Sequence, residues 1–323
     1  MKHLLLTVVG ILALVFAFTS RPSLTVAAMQ ADSQGAMQGA WTISPLPVGD
    51  QVEFTLQMNS ERHHMNSSSA APLSQFRGLT AAQLQNSPSA RFELVRDAGT
   101  FQLEGYLKNG SGGGTWIFAP SQKFADDMRS LGYNDLSKEM VFAMAVHDVN
   151  VAFVRDLNAA GIGHVSADHL IAMRIHGVSI DFIHRMQGLG YTDLSADKLI
   201  AMRIHGVTPE FVKEIKDQGL TPSLDQRVAM RIHGVTTASV REYKDLGLSP
   251  DIDQLVAMRI HGVTPEFVKE VKGLGYDHPT IGQLVAMRIH GVTPEFIRKA
   301  RSKTSNNVSI DQLVALKIHG VLD

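Results

Sequence analysis

From about residue 121 to the end of the chain, apolar and polar positions recur in blocks of 28 or 29 residues. Seven histidines mark the period: His147, His176, His205, His233, His261, His290 and His319. The block around His205 reads Leu199, Ile200, Ala201, Met202, Arg203, Ile204, His205, Gly206, Val207, Thr208, Pro209, Glu210, Phe211, Val212, and close variants surround the others. Self-similarity at such a period is the mark of stacked supersecondary units, each too small to bury its own apolar face.

Each block predicts two helices, because two start signals and two stop signals recur in it. Ten residues before each histidine stands Ser137, Ser166, Ser195, Ser223, Asp251, Thr280 or Ser309, residues whose side-chain oxygen can accept an orphan backbone N–H at a helix start. Two positions on, Glu139, Asp168, Asp197, Asp225, Asp253 and Asp311 set negative charge at the positive end of the helix dipole, with Gly282 the exception. This helix A is about ten residues long, or ~15 Å. Gly177, Gly206, Gly234, Gly262, Gly291 or Gly320 follows the histidine and tolerates the left-handed turn that closes a helix; Asp148 stands there in the first block. A second helix, B, opens at Ser121, Asn150, Ser179, Thr208, Thr236, Thr264 or Thr293, three times with Pro at its first position (Pro209, Pro265, Pro294). Seven B–A pairs are therefore expected between residues 121 and 323. Helix A is apolar on nearly every side, with an unbroken alanine column (Ala143 to Ala315) beside columns of Met and of Val or Ile. It is thus expected to be the inner helix and B the outer one.

Ahead of the array the period changes to two. Val52, Phe54 and Leu56 alternate with polar residues, as do Phe92 and Leu94, then Phe101 and Leu103. Asn109-Gly110 and the run Gly112 to Gly114 read as a hairpin turn before Thr115 to Phe118, Asn66 to Pro72 as a Ser/Ala-rich loop, and Thr80 to Gln85 as one helical turn. The expectation for residues 41–120 is a small antiparallel β domain of four to six strands, packed against the first helices. The fold class is α+β: this sheet, then an α-solenoid of seven short helix pairs over 121–323.

The N-terminus changes the picture of where the chain works. Met1, Lys2 and His3 give a positive start, Leu4 to Phe18 is apolar or small, and Val26-Ala27-Ala28 suits a signal peptidase. Residues 1–28 are read as a signal peptide and 29–40 as a linker. The run is shorter than the ~20 apolar residues of a membrane span, and no other stretch could cross a bilayer. Export to the periplasm or beyond is expected, with an N-terminal anchor the alternative if the signal is retained. Lys and Arg total 30 against 31 Asp and Glu, so there is no global field for DNA, RNA or anionic lipid. Cysteine is absent, which excludes disulfides, Cys-ligated zinc and a thiol nucleophile.

Two columns invite a chemical reading. Arg174, Arg203, Arg231, Arg259 and Arg288, with Lys317 after them, form a row of cations that could bind carboxylates in a partner; the competing expectation is internal pairing with Asp181, Glu210, Glu266 and Glu295 at the start of helix B. The histidines could form a metal ladder. However, stacked helices sit about 8–10 Å apart, whereas zinc ligands lie within ~2.1 Å of the ion, so they are expected to close helices instead. His63, His64 and Met65 have no further ligand at suitable spacing. HExxH, GxSxG and a phosphate-binding glycine loop are all missing, and neither metal nor cofactor is expected. Ile-His-Gly-Val-Thr-Pro-Glu is similar to the hairpin of helix-hairpin-helix DNA-binding motifs, but Thr stands at the second glycine and Glu follows.

The block Leu-Ile-Ala-Met-Arg-Ile-His-Gly-Val-Thr-Pro-Glu-Phe-Val, with Phe101 to Tyr106 and Gly112 to Phe118 before it, resembles the extracytoplasmic tail of bacterial BlaR1-like membrane metallopeptidase sensors. The resemblance covers about residues 41–323. The catalytic HExxH and the membrane helices of those proteins are missing, so no peptidase activity carries over. What it implies is a sensory or interaction role at the bacterial envelope. The sequence thus points to a non-catalytic exported protein that binds a protein or peptide partner. The alternative is a binding subunit for a cell-wall fragment or other acidic ligand, held by the Arg column.

Overall fold

The computed structural model describes residues 37–47, 50–59, 64–303 and 307–321. The expected signal peptide and most of the expected linker lie outside the described residues. The architecture is α+β, an antiparallel sheet followed by tandem helices.

The sheet has seven strands: β1 (Gln38–Pro45), β2 (Gln51–Asn59), β3 (His64–Pro72), β4 (Phe76–Arg77), β5 (Asn86–Arg96), β6 (Gly99–Lys108) and β7 (Ser111–Pro120). Their spatial order is β3-β2-β1-β7-β6-β5-β4. That exceeds the expected four to six, and β1 begins inside the expected linker. The stretch expected as a loop, Asn66 to Pro72, is edge strand β3. It pairs with β2 from His64 opposite Asn59 to Pro72 opposite Gln51, so its backbone bonds hold it although it carries no apolar alternation. The sheet curls on itself, bringing Trp41 within 5.0 Å of Phe92 and Phe54 within 4.9 Å of Phe76, ring centre to ring centre. Asn109 (φ 53°) and Gly110 (φ 81°) form the β6–β7 turn, the two left-handed residues a tight hairpin needs. Gly112 to Gly114 belong to β7 instead of the turn. Glycine is needed on the inner face because neighbouring backbone and the indoles fill it. A Cβ on Gly105 would collide with Gly113 O and lie 2.8 Å from the Trp41 ring, and one on Gly39 would collide with Gln57 O and lie 2.7 Å from the Trp116 ring. Both indole N–H groups still find acceptors, Trp41 at Glu104 O (3.1 Å) and Trp116 at Ala40 O (2.9 Å). The expected helical turn is α1 (Ala81–Gln85), opened by a reciprocal Thr80–Gln83 capping box.

The array follows as α2 (Gln122–Ser130), α3 (Lys138–Val146), α4 (Val151–Ala159), α5 (Ala167–Ile175), α6 (Ile180–Gly188), α7 (Ala196–Ile204), α8 (Pro209–Asp217), α9 (Leu224–Ile232), α10 (Thr237–Asp245), α11 (Ile252–Ile260), α12 (Pro265–Gly273), α13 (Ile281–Ile289), α14 (Pro294–Lys303) and α15 (Ile310–Ile318). Even numbers are B helices and odd numbers from α3 on are A helices. Each expected cap residue accepts the N–H three positions on, as Ser195 does from Lys198 and Thr208 from Phe211. Helix A ends in a Schellman motif: in α5, Val178 N–H bonds Met173 O (2.8 Å) and Gly177 N–H bonds Arg174 O (3.1 Å). Helix A of each pair packs on helix A of the next, and B on B.

The sheet and the array meet at the first pair. Phe142 of α3 enters the open end of the curled sheet, against Trp116 (5.5 Å, nearly parallel), Phe118 (5.3 Å) and Phe101 (5.9 Å). Asp97, between β5 and β6, accepts the N–H of Val151 at 3.1 Å and so serves the start of α4. Asp148, left-handed at φ 55°, takes Arg96 of the sheet at 3.4 Å on one oxygen and Arg174 of the next pair at 2.8 Å on the other. Two of the residues by which the first block departs from the others are accounted for here. Asp148 ties sheet to array, and Ala145, where later blocks carry Arg, is completely buried.

Candidate binding face

Helix A is not buried on all sides. In α7, Leu199 and Met202, three residues apart, point inward and are fully buried. Ile200 and Ala201 are half-buried, and Ile204, four residues after Ile200, lies on the open side. The same arrangement holds along the array, and Ile175, Ile204, Ile232, Ile260, Ile289 and Ile318 are each 52% to 55% exposed. The expectation that A is the inner helix therefore holds for one stripe only. Helix B buries as much, for example Phe211, Val212 and Ile215 of α8. The reason is that A packs on neighbouring A helices through its flanks and on B through one face, which leaves its fourth side open.

Because the A helices stack, these positions line up as a strip of Ile or Val, Ala and Ile running along the array. Exposed carboxylates border it at the N-terminal ends of the helices: Asp168, Asp197, Asp225, Asp253 and Asp311. Neighbouring pairs bridge to them, with His169 Nε2 2.8 Å from Asp197, and Gln226 donating to Asp253 at 3.0 Å. In the first pair the equivalent of Ile200 is Phe142, which lies inside the sheet. The strip is covered there by the chain itself.

The Arg column ties A to B within each pair and reaches the histidine carbonyl of the pair before. Arg174, Arg203, Arg231 and Arg288 lie 5.0–5.3 Å over the rings of Phe153, Phe182, Phe211 and Phe267 of the preceding B helix, and Lys317 lies 5.0 Å over Phe296. Arg203 also donates to His176 O at 3.2 Å, across the joint. A Cβ on Gly177 would come within 3.1 Å of the Arg203 guanidinium, so glycine there supplies both the left-handed turn and room for the stacked cation. Two of the four expected acidic partners are engaged elsewhere: Glu210 takes Arg185, and Glu295 takes Arg298 at 3.5 Å. The Arg185 contact holds the Glu210 carboxyl below its usual range. Arg259 follows the one B helix that carries Ser239 at the column where the others carry phenylalanine; it lies near Tyr243, and its Nε is buried without a partner.

The histidines close helix A, and their carbonyls accept from the next pair's arginine. His147, half-buried in the first pair, has its pKa lowered by burial. Among the described residues no group of three or more His, Asp or Glu could hold a metal ion. His64 is exposed in β3, and His63 lies outside the described residues. No described helix is long and apolar enough to cross a membrane.

No family model matches the chain, and no curated protein matches it either. Its candidate sites rest on geometry. One groove of about 220 Å³ lies between pairs, lined by Thr208, Glu210, Phe211, Glu214, Arg231 and Thr237. Its two carboxylates outnumber its one guanidinium, which already lies on Phe211. One feature escaped sequence reasoning altogether. In α9 the column that is Leu170, Leu199, Leu255, Leu284 and Leu313 elsewhere is Arg227, only 4% exposed. It lies 4.9 Å over the Tyr191 ring and donates to Pro222 O, while its Nε has no partner. Burial pushes its pKa down to about 10. A column-by-column alignment of the blocks was the signal that could have found it.

Proposed function

We propose that this is a non-catalytic binding protein, exported to the bacterial envelope, that takes a protein or peptide partner along the isoleucine strip of its A helices. The observation that carries the reading is the row of six isoleucines, each just over half exposed at the same turn of successive pairs. Stacking does not require an apolar residue there. The outer turns of helix B carry Glu210, Lys213 and Glu214 in the corresponding exposed situation. Patches of about 300–600 Å² are the largest an ordinary monomer exposes, and they often mark functional surfaces. The resemblance to the tail of membrane sensors agrees with a role in envelope sensing. An acidic ligand held by the Arg column is the weaker reading, because those cations already stack on phenylalanines and cross the joints between pairs.

The test is a photo-crosslinking residue placed at Ile232 or, as control, at Lys213 on the outer face of α8, in cells exporting the full chain. Protein adducts from position 232 and none from 213 are expected. Equal labelling from both, or labelling only beside the arginines, would overturn the reading.

A further inference from the structure

We infer that the segment received by the isoleucine strip is an amphipathic α-helix with basic residues along one flank, laid lengthwise on the array. The inference rests on the strip being the binding surface, and it goes on to specify what the partner presents.

Three features of the strip define its occupant. It is continuous with a contact already made: at Phe142 the same column is sealed by the sheet, and from Ile171 and Ile175 onward it runs uncovered. It is narrow. Ile200 and Ile204 span ~6 Å of helix axis, and with their side chains they match the footprint of one α-helix about 10–12 Å across. Its pitch also fits, since A helices about 8–10 Å apart present successive isoleucines at nearly the ~10.5 Å that separates residues one heptad apart on a facing helix.

Charge sets the flank. Asp168, Asp197, Asp225, Asp253 and Asp311 line one edge in the open. At the other edge Arg203, Arg231 and Arg288 are exposed too, but their guanidinium groups lie over phenylalanine rings. The face thus offers a row of exposed carboxylates along the aspartate edge. Gln226 and Gln283 bond to Asp253 and Asp311 without cancelling their charge, and Asp197 faces the titratable His169. The row favours Lys or Arg on that side of the partner and sets its direction. A second copy of the chain fits less well. Turned about an axis along the array, the two copies would bring both sheets to the same end, where each already covers the strip. Turned about an axis along the A helices, they would set acidic edge on acidic edge.

The experiment uses the purified full chain and a fluorescein-labelled synthetic helix about four heptads long, with Leu at the a and d positions and Lys on one flank. A twin peptide carries Glu for Lys, and a third is scrambled. Anisotropy titration is expected to show saturable binding of the Lys peptide at least about tenfold tighter than either control. Substituting Ile204→Gln, Ile232→Gln and Ile260→Gln together should remove it without lowering the melting temperature. Substituting Asp197→Asn, Asp225→Asn and Asp253→Asn together should erase the preference for Lys over Glu. Equal affinity for the Lys and Glu peptides, or binding indifferent to the Ile substitutions, overturns the inference. So does flotation with phosphatidylcholine–phosphatidylglycerol vesicles, or self-association, if either is lost in the Ile variant. If crosslinks at position 232 persist but map to an extended or acidic segment, this inference falls and the proposed function stands. If neither crosslinks nor peptide binding occur, both fall.

Discussion

The first helix pair and the six that follow are built from the same repeat, yet they solve different problems. In the first, the A helix is covered. Phe142 fills the end of the curled sheet, Ala145 takes the place of an arginine that burial would strand, and Asp148 ties Arg96 to Arg174. In the others the same columns hold Ile or Val, Arg or Lys, and Gly, and the strip faces water. The first pair shows that this side of helix A can be buried against an aromatic surface when Phe142, Ala145 and Asp148 stand in these columns. An apolar row retained elsewhere without any cover is then a property of those pairs, since stacking is complete without it.

The largest effect should come from breaking the covered case. Phe142→Ala removes a ring held by Trp116, Phe118 and Phe101 and should cost about 3–5 kcal/mol. Both tryptophans of the chain lie in the sheet, so their fluorescence reports the sheet while far-UV circular dichroism reports the helices. In urea the two transitions should coincide in the parent and separate in the variant. Coincident transitions at an unshifted midpoint would mean that the sheet and array do not depend on this contact.

Next in size is the exception among the uncovered pairs. Arg227→Leu restores the residue found at that column in five other pairs and replaces a buried cation with a bare Nε. It should stabilise the chain by about 1–4 kcal/mol, read as a higher midpoint in urea. A loss of stability would show that Arg227 has a role its contacts with Tyr191 and Pro222 do not reveal.

The smallest effect is one of pH. Burial lowers the pKa of His147 in the folded chain below its ordinary 6.5. The unfolded chain therefore binds more protons in acid, and this residue's contribution is intact above about pH 6.5 and is lost as the pH falls below it. His147→Gln should flatten the decline of melting temperature between about pH 7 and 5. An unchanged slope would place the acid sensitivity elsewhere.

What the sequence made legible follows from the range of the forces involved. Caps such as Ser195 and Thr208 act on an N–H three residues away, so their identity and spacing announced the helix starts, and Gly177 or Gly206 announced the ends. Which way helix A faces was not legible. Leu199, Ile200, Met202 and Ile204 are all apolar, and periodicity says which residues recur without saying which side meets a neighbour. Gly112 to Gly114 read as a turn because the groups that need their space, Leu107 and the backbone of Glu104, Tyr106 and Trp41, come from neighbouring strands. Strand β3 was hidden for the opposite reason: its backbone pairs with β2, but Ser67 to Ser69 offer no apolar side chain to bury. The Arg column was recognised as special but given the acidic residues as neighbours. Its phenylalanines lie on the B helix of the same pair, about 20 residues back, and only the packing of B against A brings them together.

The central claim is that the exposed isoleucines serve recognition while the arginines hold the array together. Melting two triple variants side by side tests it without any partner. Arg203→Ala, Arg231→Ala and Arg288→Ala together remove three stacked cations, each worth about 0.5–1 kcal/mol, and should lower the melting temperature clearly. Ile204→Gln, Ile232→Gln and Ile260→Gln keep the buried stem of each side chain and its helical preference, and each should stay within about 0.5 kcal/mol of the parent. The opposite ranking, with the isoleucine variant melting first and the arginine variant unchanged, would contradict the account.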